Sequence, residues 1–202
     1  MRWQLKWEDL MITIQLFPST FLILFSLVFV VTIIIRVIRK KSYLKLFYVG
    51  IIELYVLLLV SVTLLPINII NPSLREGESR MIDYVQLIPF RTILETIESN
   101  GFLSIQLVGN IVLLLPLPIL IGYVVKNKSF VILLAKCALI SLGIEFIQIC
   151  IDFAIQYPSR RFDVDDIILN VIGVMIGTMV FKTISHFETF YNWIGEKIVW
   201  KI

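Results

Sequence analysis

Apolar positions dominate long stretches of the chain, and polar positions interrupt them at wide intervals. The apolar runs extend from about Leu16 to Ile38, Leu46 to Ile70, Phe102 to Val125, Phe130 to Ile151 and Asp166 to Ile184. A hydrocarbon core takes about 20 helical residues to cross. Every run reaches about that length, so the pattern predicts about five transmembrane helices. Helices are the expected element because backbone polar groups in lipid must find partners within their own segment. The first run exceeds the h-region of a signal peptide and closes on a basic block, so it is expected to be retained as a span.

Composition agrees. Hydrophobic residues make up 58% of the 202 residues and mean hydropathy is +0.93, more apolar surface than a soluble domain of this size can bury. Charged residues amount to 16% and gather between the runs, with a net charge of +3. No basic face with interleaved aromatics suggests nucleic-acid binding. Cys137 and Cys150 lie too far apart on one helix to bridge and are expected in the core.

Arg36, Arg39, Lys40, Lys41 and Lys45 separate the first two runs, and Lys126 and Lys128 separate the third and fourth. The positive-inside rule makes these loops cytoplasmic, with the amino terminus outside and the carboxyl terminus inside. Arg2 and Lys6 oppose that orientation weakly. The segment from about Asn71 to Gly101 mixes Arg75, Arg80 and Arg91 with Glu76, Glu78, Asp83, Glu95 and Glu98, as suits an outer loop. Trp3 and Trp7 have the character of outer-interface anchors. Phe187, Phe190, Tyr191, Ile194 and Ile198 recur at helical spacing, which predicts an amphipathic helix on the inner leaflet.

Polar groups inside spans are costly and usually face a protein interior or a water-filled cavity. The first two runs hold few, chiefly Glu53, whereas the last three hold several in register. Ser141, Glu145, Gln148 and Asp152 share one face of the fourth run. Asp166, Asn170, Gly173 and Gly177 share one face of the fifth. Gly173-x-x-x-Gly177 permits close helix approach. In the third run Asn110 precedes a kink expected at Pro116-x-Pro118. Asn110, Glu145 and Asn170 are expected roughly 6–12 Å below the outer surface. That shared depth suggests one site, beneath Arg160-Arg161-Phe162-Asp163-Val164-Asp165-Asp166.

Asp163 or Asp165 is a candidate N-cap for the fifth span. Arg161 is a candidate partner for one of them or for Glu145, and its guanidinium suits phosphate or carboxylate. Structural readings stand beside the functional ones. Buried amides and carboxylates also knit helices together, glycines pack, and caps explain acidic clusters without a metal. The only histidine, His186, lies in the expected inner tail. A histidine-based triad or zinc site on the outer side is therefore excluded, and no metal or cofactor is expected.

Several motifs together resemble the VanZ family. They are Ile88-Pro89-Phe90, Gly109-Asn110-Ile111 leading to Pro116, and Glu145-Phe146-Ile147-Gln148. Arg161-Phe162-Asp163-Val164-Asp165-Asp166, Asn170, Gly173 and Gly177 complete the set. The resemblance runs from about Pro66 to Ile184. It implies a bacterial plasma-membrane protein associated with resistance to glycopeptide antibiotics, teicoplanin in particular, and it imports no mechanism.

The expected fold is all-α and polytopic, its core bundle formed by the last three to four helices. Residues 1–45 form an amino-terminal interfacial segment and first span, 46–185 the VanZ-like core, and 186–202 the tail. The leading expectation is a non-enzymatic binding site open to the outer leaflet, made from Asn110, Glu145, Gln148, Arg161, Asp163, Asp166 and Asn170. Its partner would be a membrane lipid, a lipid-linked cell-wall precursor or a lipidated antibiotic. Two alternatives stand. One is an intramembrane enzyme with Glu145 or Asp166 as acid or base. The other is a structural protein assisting a partner complex. Five spans without an evident inverted repeat argue against a transporter.

Overall fold

The computed structural model describes residues 11–14, 18–38, 43–65, 67–70, 81–124 and 129–196. Arg39, Lys40, Lys41, Lys126, Lys128, the tryptophans Trp3 and Trp7, and Ile198 lie outside the described residues. The elements are β1 (Met11–Ile14), α1 (Pro18–Ile38), α2 (Tyr43–Thr63), β2 (Ile67–Ile70), α3 (Met81–Tyr84), β3 (Val85–Gln86), α4 (Arg91–Asn100), α5 (Ile105–Leu114), α6 (Pro116–Val124), α7 (Phe130–Ile155), β4 (Phe162–Asp163), α8 (Val164–His186) and α9 (Glu188–Ile194).

The chain is an all-α polytopic membrane protein. Four helical stretches are long and apolar enough to cross a bilayer: Leu46–Thr63, Ile105–Val124, Phe130–Ile155 and Val164–His186. The apolar stretch of α1, Ser19–Ile35, is shorter. α1 packs on α2 alone among the larger element contacts. Thr32 of α1 donates a hydrogen bond to Glu53 of α2.

α8 is the hub, packing against α5, α6, α7, α9 and α4. Gly173 and Gly177 make this possible. A Cβ at Gly173 would stand 2.0 Å from the Ile111 carbonyl oxygen, and one at Gly177 would stand 2.0 Å from that of Leu115. The helices therefore meet backbone to backbone, as the small-residue spacing predicts. The third run divides into α5 and α6 at Leu115, where Pro116 and Pro118 supply no amide for α-helical hydrogen bonds. Tyr55 and Tyr48 of α2 donate to the carbonyls of Leu113 (3.0 Å) and Leu120 (2.9 Å), fastening α2 to both halves.

Two apolar clusters fill the bundle. Leu114, Leu117, Cys137 and Val174 form one. Tyr123, Leu133, Phe181 and Tyr191 form the other, with the Tyr123 ring stacked on Tyr191 and edge-on to Phe181.

Two expectations are corrected, the reach of the second run and the burial of Cys150. The second run does not stay helical to Ile70. α2 ends at Thr63, and Ile67–Ile70 pairs antiparallel with Met11–Ile14. Pro66 disfavours helix at the residue before it, and the isoleucines that follow suit a strand. In the tail helix Tyr191 and Ile194 face the bundle, while Phe190 and Trp193 stack together on the exposed side. Of the two free cysteines only Cys137 is in the core; Cys150 is exposed, because its position on α7 turns away from the buried face of Ser141, Glu145 and Asp152.

Forcing a methyl group into the α5–α8 contact must move one backbone away from the other. Gly173→Ala and Gly177→Ala are each expected to cost about 1–3 kcal/mol and to lower the unfolding midpoint in detergent. Gly143→Ala on α7, where a Cβ meets nothing within 4 Å, should leave that midpoint unchanged.

Candidate functional site

The end of the bundle where α8 begins is built from side chains that satisfy backbone groups. Asp163 caps α8, accepting from the Asp165 amide at 2.8 Å. Its carboxylate also accepts from the Thr92 hydroxyl at 2.6 Å and the Gln86 amide at 3.3 Å. The parallel pairing of β3 with β4 brings Gln86 there. Asp165 does not cap its own helix. It reaches across to α4 and accepts from the amides of Phe90 (2.6 Å) and Ile93 (3.1 Å). Those are donors that a helix start leaves without intrahelical partners. Phe90 is held there at φ 66°, a left-handed conformation that costs a non-glycine residue about 1–2 kcal/mol.

The C-terminal end of α2 is closed in a similar way. Arg160 donates to the carbonyls of Val62 (2.8 Å), Thr63 (2.6 Å) and Leu65, and Gln148 donates to Thr63 at 2.7 Å. The Arg160 amide in turn donates to the buried Asp152 carboxylate at 3.0 Å. Burial pushes the Arg160 pKa down, and the neighbouring carboxylates of Asp152, Asp166 and Glu145 push it back up.

Between these caps the polar residues of α5, α7 and α8 converge. Asn110 donates to Asp166. Glu145 is 2% exposed, lies within electrostatic range of Asp166, Asp163 and Arg160, and keeps one carboxylate oxygen without a hydrogen-bond partner among the described residues. Asn170, also 2% exposed, keeps its side-chain oxygen unpartnered in the same sense, as does Ser141 with its hydroxyl. In front lies an open cavity of about 320 Å³ lined by Thr92, Gln106, Gln148, Arg160, Arg161, Asp163 and Asp166.

The residues expected from sequence therefore divide by position. Gln148, Arg161, Asp163 and Asp166 line the cavity, and Asn110 stands behind Asp166. Glu145 and Asn170 are buried and are not among its lining residues. Arg161 makes no ion pair with Asp163, Asp165 or Glu145. It is exposed, and among the described residues its guanidinium has no partner. The adjacent Arg160 is the arginine that approaches the carboxylates, because it turns inward to the end of α2. Periodicity could have found Gln106, four residues before Asn110 on α5. It offers no signal for Thr92 or Gln86. Among the described residues no group of three His, Cys, Asp or Glu side chains is placed to hold a metal ion. Asp163 and Asp165 spend their oxygens on amides and hydroxyls instead.

The Asp165 cap makes a local prediction. Asp165→Ala removes the acceptor of two α4 amides, a loss of about 1 kcal/mol by the usual worth of a helix cap. Hydrogen exchange followed by mass spectrometry should show the α4 peptide exchanging about fivefold faster, with α6 and α9 unaffected.

No curated protein and no solved structure matches the chain. The family described as VanZ/LLP1 matches residues 52–185, from the middle of α2 to the end of α8. The match contains every residue that lines the cavity and all the polar residues buried beside it, and the chain is a member of the VanZ/LLP1 family.

Proposed function

We propose that this cavity binds an anionic, lipid-linked headgroup at the outer leaflet of a bacterial plasma membrane, and that the protein thereby contributes to resistance to glycopeptide antibiotics of the teicoplanin type. VanZ membership links the chain to glycopeptide resistance at the level of the family. One observation supports the binding: Arg161 presents an uncommitted guanidinium to a 320 Å³ polar cavity, while every other charged group there is already engaged or faces a like charge. An arginine placed so is suited to a phosphate oxygen pair. Gln106 and the outer oxygen of Asp166 would then orient hydroxyl or amide donors on the same ligand. A lipid-linked cell-wall precursor supplies such a phosphate beside the membrane. The charge distribution supports an orientation with the amino terminus outside and the cavity on that side.

An enzymatic reading has a narrower basis. Glu145 and Asp166 are neighbouring carboxylates, and Glu145 retains a buried, unpartnered oxygen. Proton transfer to or from an envelope lipid phosphate would use such a pair. It requires an altered lipid or cell-wall species in expressing cells, and an unchanged mass-spectrometric profile would remove it.

For binding, Arg161→Ala should weaken retention of a polyprenyl phosphate in nanodiscs by about tenfold or more, the usual worth of a charge-assisted hydrogen bond. Arg161→Ala and Glu145→Ala should each return teicoplanin susceptibility to that of cells lacking the protein, at equal membrane abundance. Full resistance from both variants would refute the proposal.

A further inference from the structure

The segment between β3 and α5 carries an unusual surface for a connection between spans. Leu87, Ile88, Phe90, Leu94, Phe102 and Leu103 are all exposed, with Phe102 at 75% and Leu103 at 90%. Isolated exposed apolar residues need no explanation, but six within seventeen positions do. α4 lies in the middle of this segment and is amphipathic. Arg91 and Glu95 pair at 2.9 Å on its exposed surface, and Glu98 and Ser99 are exposed with them. Thr96 is buried toward the protein.

Two contacts fix where this segment lies. Asp165, in the first turn of α8, holds the amides of Phe90 and Ile93. Asp163, the cap of α8, holds the hydroxyl of Thr92. α4 is thus locked beside the first turn of α8, a helix long and apolar enough to cross a bilayer. On its other side the exposed apolar surface continues without a break into α5. Ile105 is 91% exposed, and Val108 and Val112 follow it on one face of the same span. That face is exposed and apolar on a helical stretch long enough to cross a bilayer, and Leu103 and Phe102 extend it directly.

We infer that residues 87–105 are not a water-exposed loop but an interfacial helix with flanking apolar residues sunk into one leaflet, its occupant the acyl chains of the bilayer. The Arg91–Glu95 edge stays among the headgroups and the Leu94, Phe102 and Leu103 surface lies below it, as in helices that rest in the membrane interface. Thr92 belongs to this segment and Gln106 follows it directly; both also line the polar cavity, so the cavity mouth stands at headgroup depth. The inference concerns the segment alone and holds whether or not the cavity binds a ligand.

The unaltered full chain tests it. In proteoliposomes containing a phosphatidylcholine with a mid-chain photoactivatable diazirine, peptides covering 87–105 should carry lipid adducts. Their yield should lie within about threefold of peptides from the lipid-facing surface of α7, as expected for an interfacial segment. A yield at background while α7 is labelled would overturn the inference. A second measurement uses single cysteines at exposed positions in a Cys150→Ala background. Fluorophores on Leu94→Cys and Leu103→Cys should be quenched by brominated acyl chains and be at least about threefold less sensitive to aqueous iodide than one on Glu98→Cys. Equal iodide sensitivity at all three positions would show a water-exposed loop. Shielding of 94 and 103 from both quenchers would show a second copy or another protein covering them. Either result overturns the inference.

Discussion

The contact between α8 and the α5–α6 pair is made by backbone, and the rest of the site depends on it. Gly173 faces the Ile111 carbonyl and Gly177 faces that of Leu115, so the two elements run side by side in one register. In lipid, where apolar side chains gain little by leaving one hydrocarbon surface for another, such close packing is a main source of helix association. The same register brings Asn110, next to Ile111, within hydrogen-bonding reach of Asp166. A slip of one turn would separate that pair and leave a carboxylate and an amide without each other at the membrane boundary.

Most of the charge at this end of the bundle is spent on architecture. Asp163 closes α8 and holds Thr92, Asp165 closes α4, and Asp152 and Arg160 together close α2. Helix ends near hydrocarbon cannot rely on water for their free amides and carbonyls, so fixed side chains replace it. Once these groups are accounted for, what remains uncommitted among the described residues is small and chemically distinct. Arg161 and Gln106 stand at the cavity, Asp166 offers one further oxygen, and Glu145 and Asn170 each keep a buried acceptor.

Periodic features were legible in the sequence and non-periodic ones were not. The inward face of α7 follows from the spacing of Ser141, Glu145, Gln148 and Asp152, of which Ser141, Glu145 and Asp152 are buried. The glycine contact and the break at Pro116 follow from local rules of equal simplicity. By contrast, Arg160 and Arg161 are neighbours of identical chemistry. Which one turns inward is decided by carbonyls of α2 more than ninety residues earlier in the chain. The capping of α4 by Asp165 joins residues separated by 72 and 75 positions. A side chain that satisfies a distant backbone leaves no repeat to read, so α4 and the end of α2 could be read only as loop and continued span.

α1 stands apart physically as well as in sequence. It lies outside the matched family region, packs mainly on α2, and meets it in a polar contact where Thr32 donates to Glu53. That bond is the near end of a line of attachments. Glu53 belongs to the same helix as Tyr48 and Tyr55, which hold the α5–α6 kink, and as Thr63, whose carbonyl receives both Gln148 and Arg160. α2 is therefore the splint between α1 and the bundle core. Among the described residues its polar ties reach the core side at three levels. A force or mutation that displaces α1 reaches the cavity through α2, where the three core ties resist it, and through the β1–β2 pair, whose Asn68 donates to Ser159 beside Arg160.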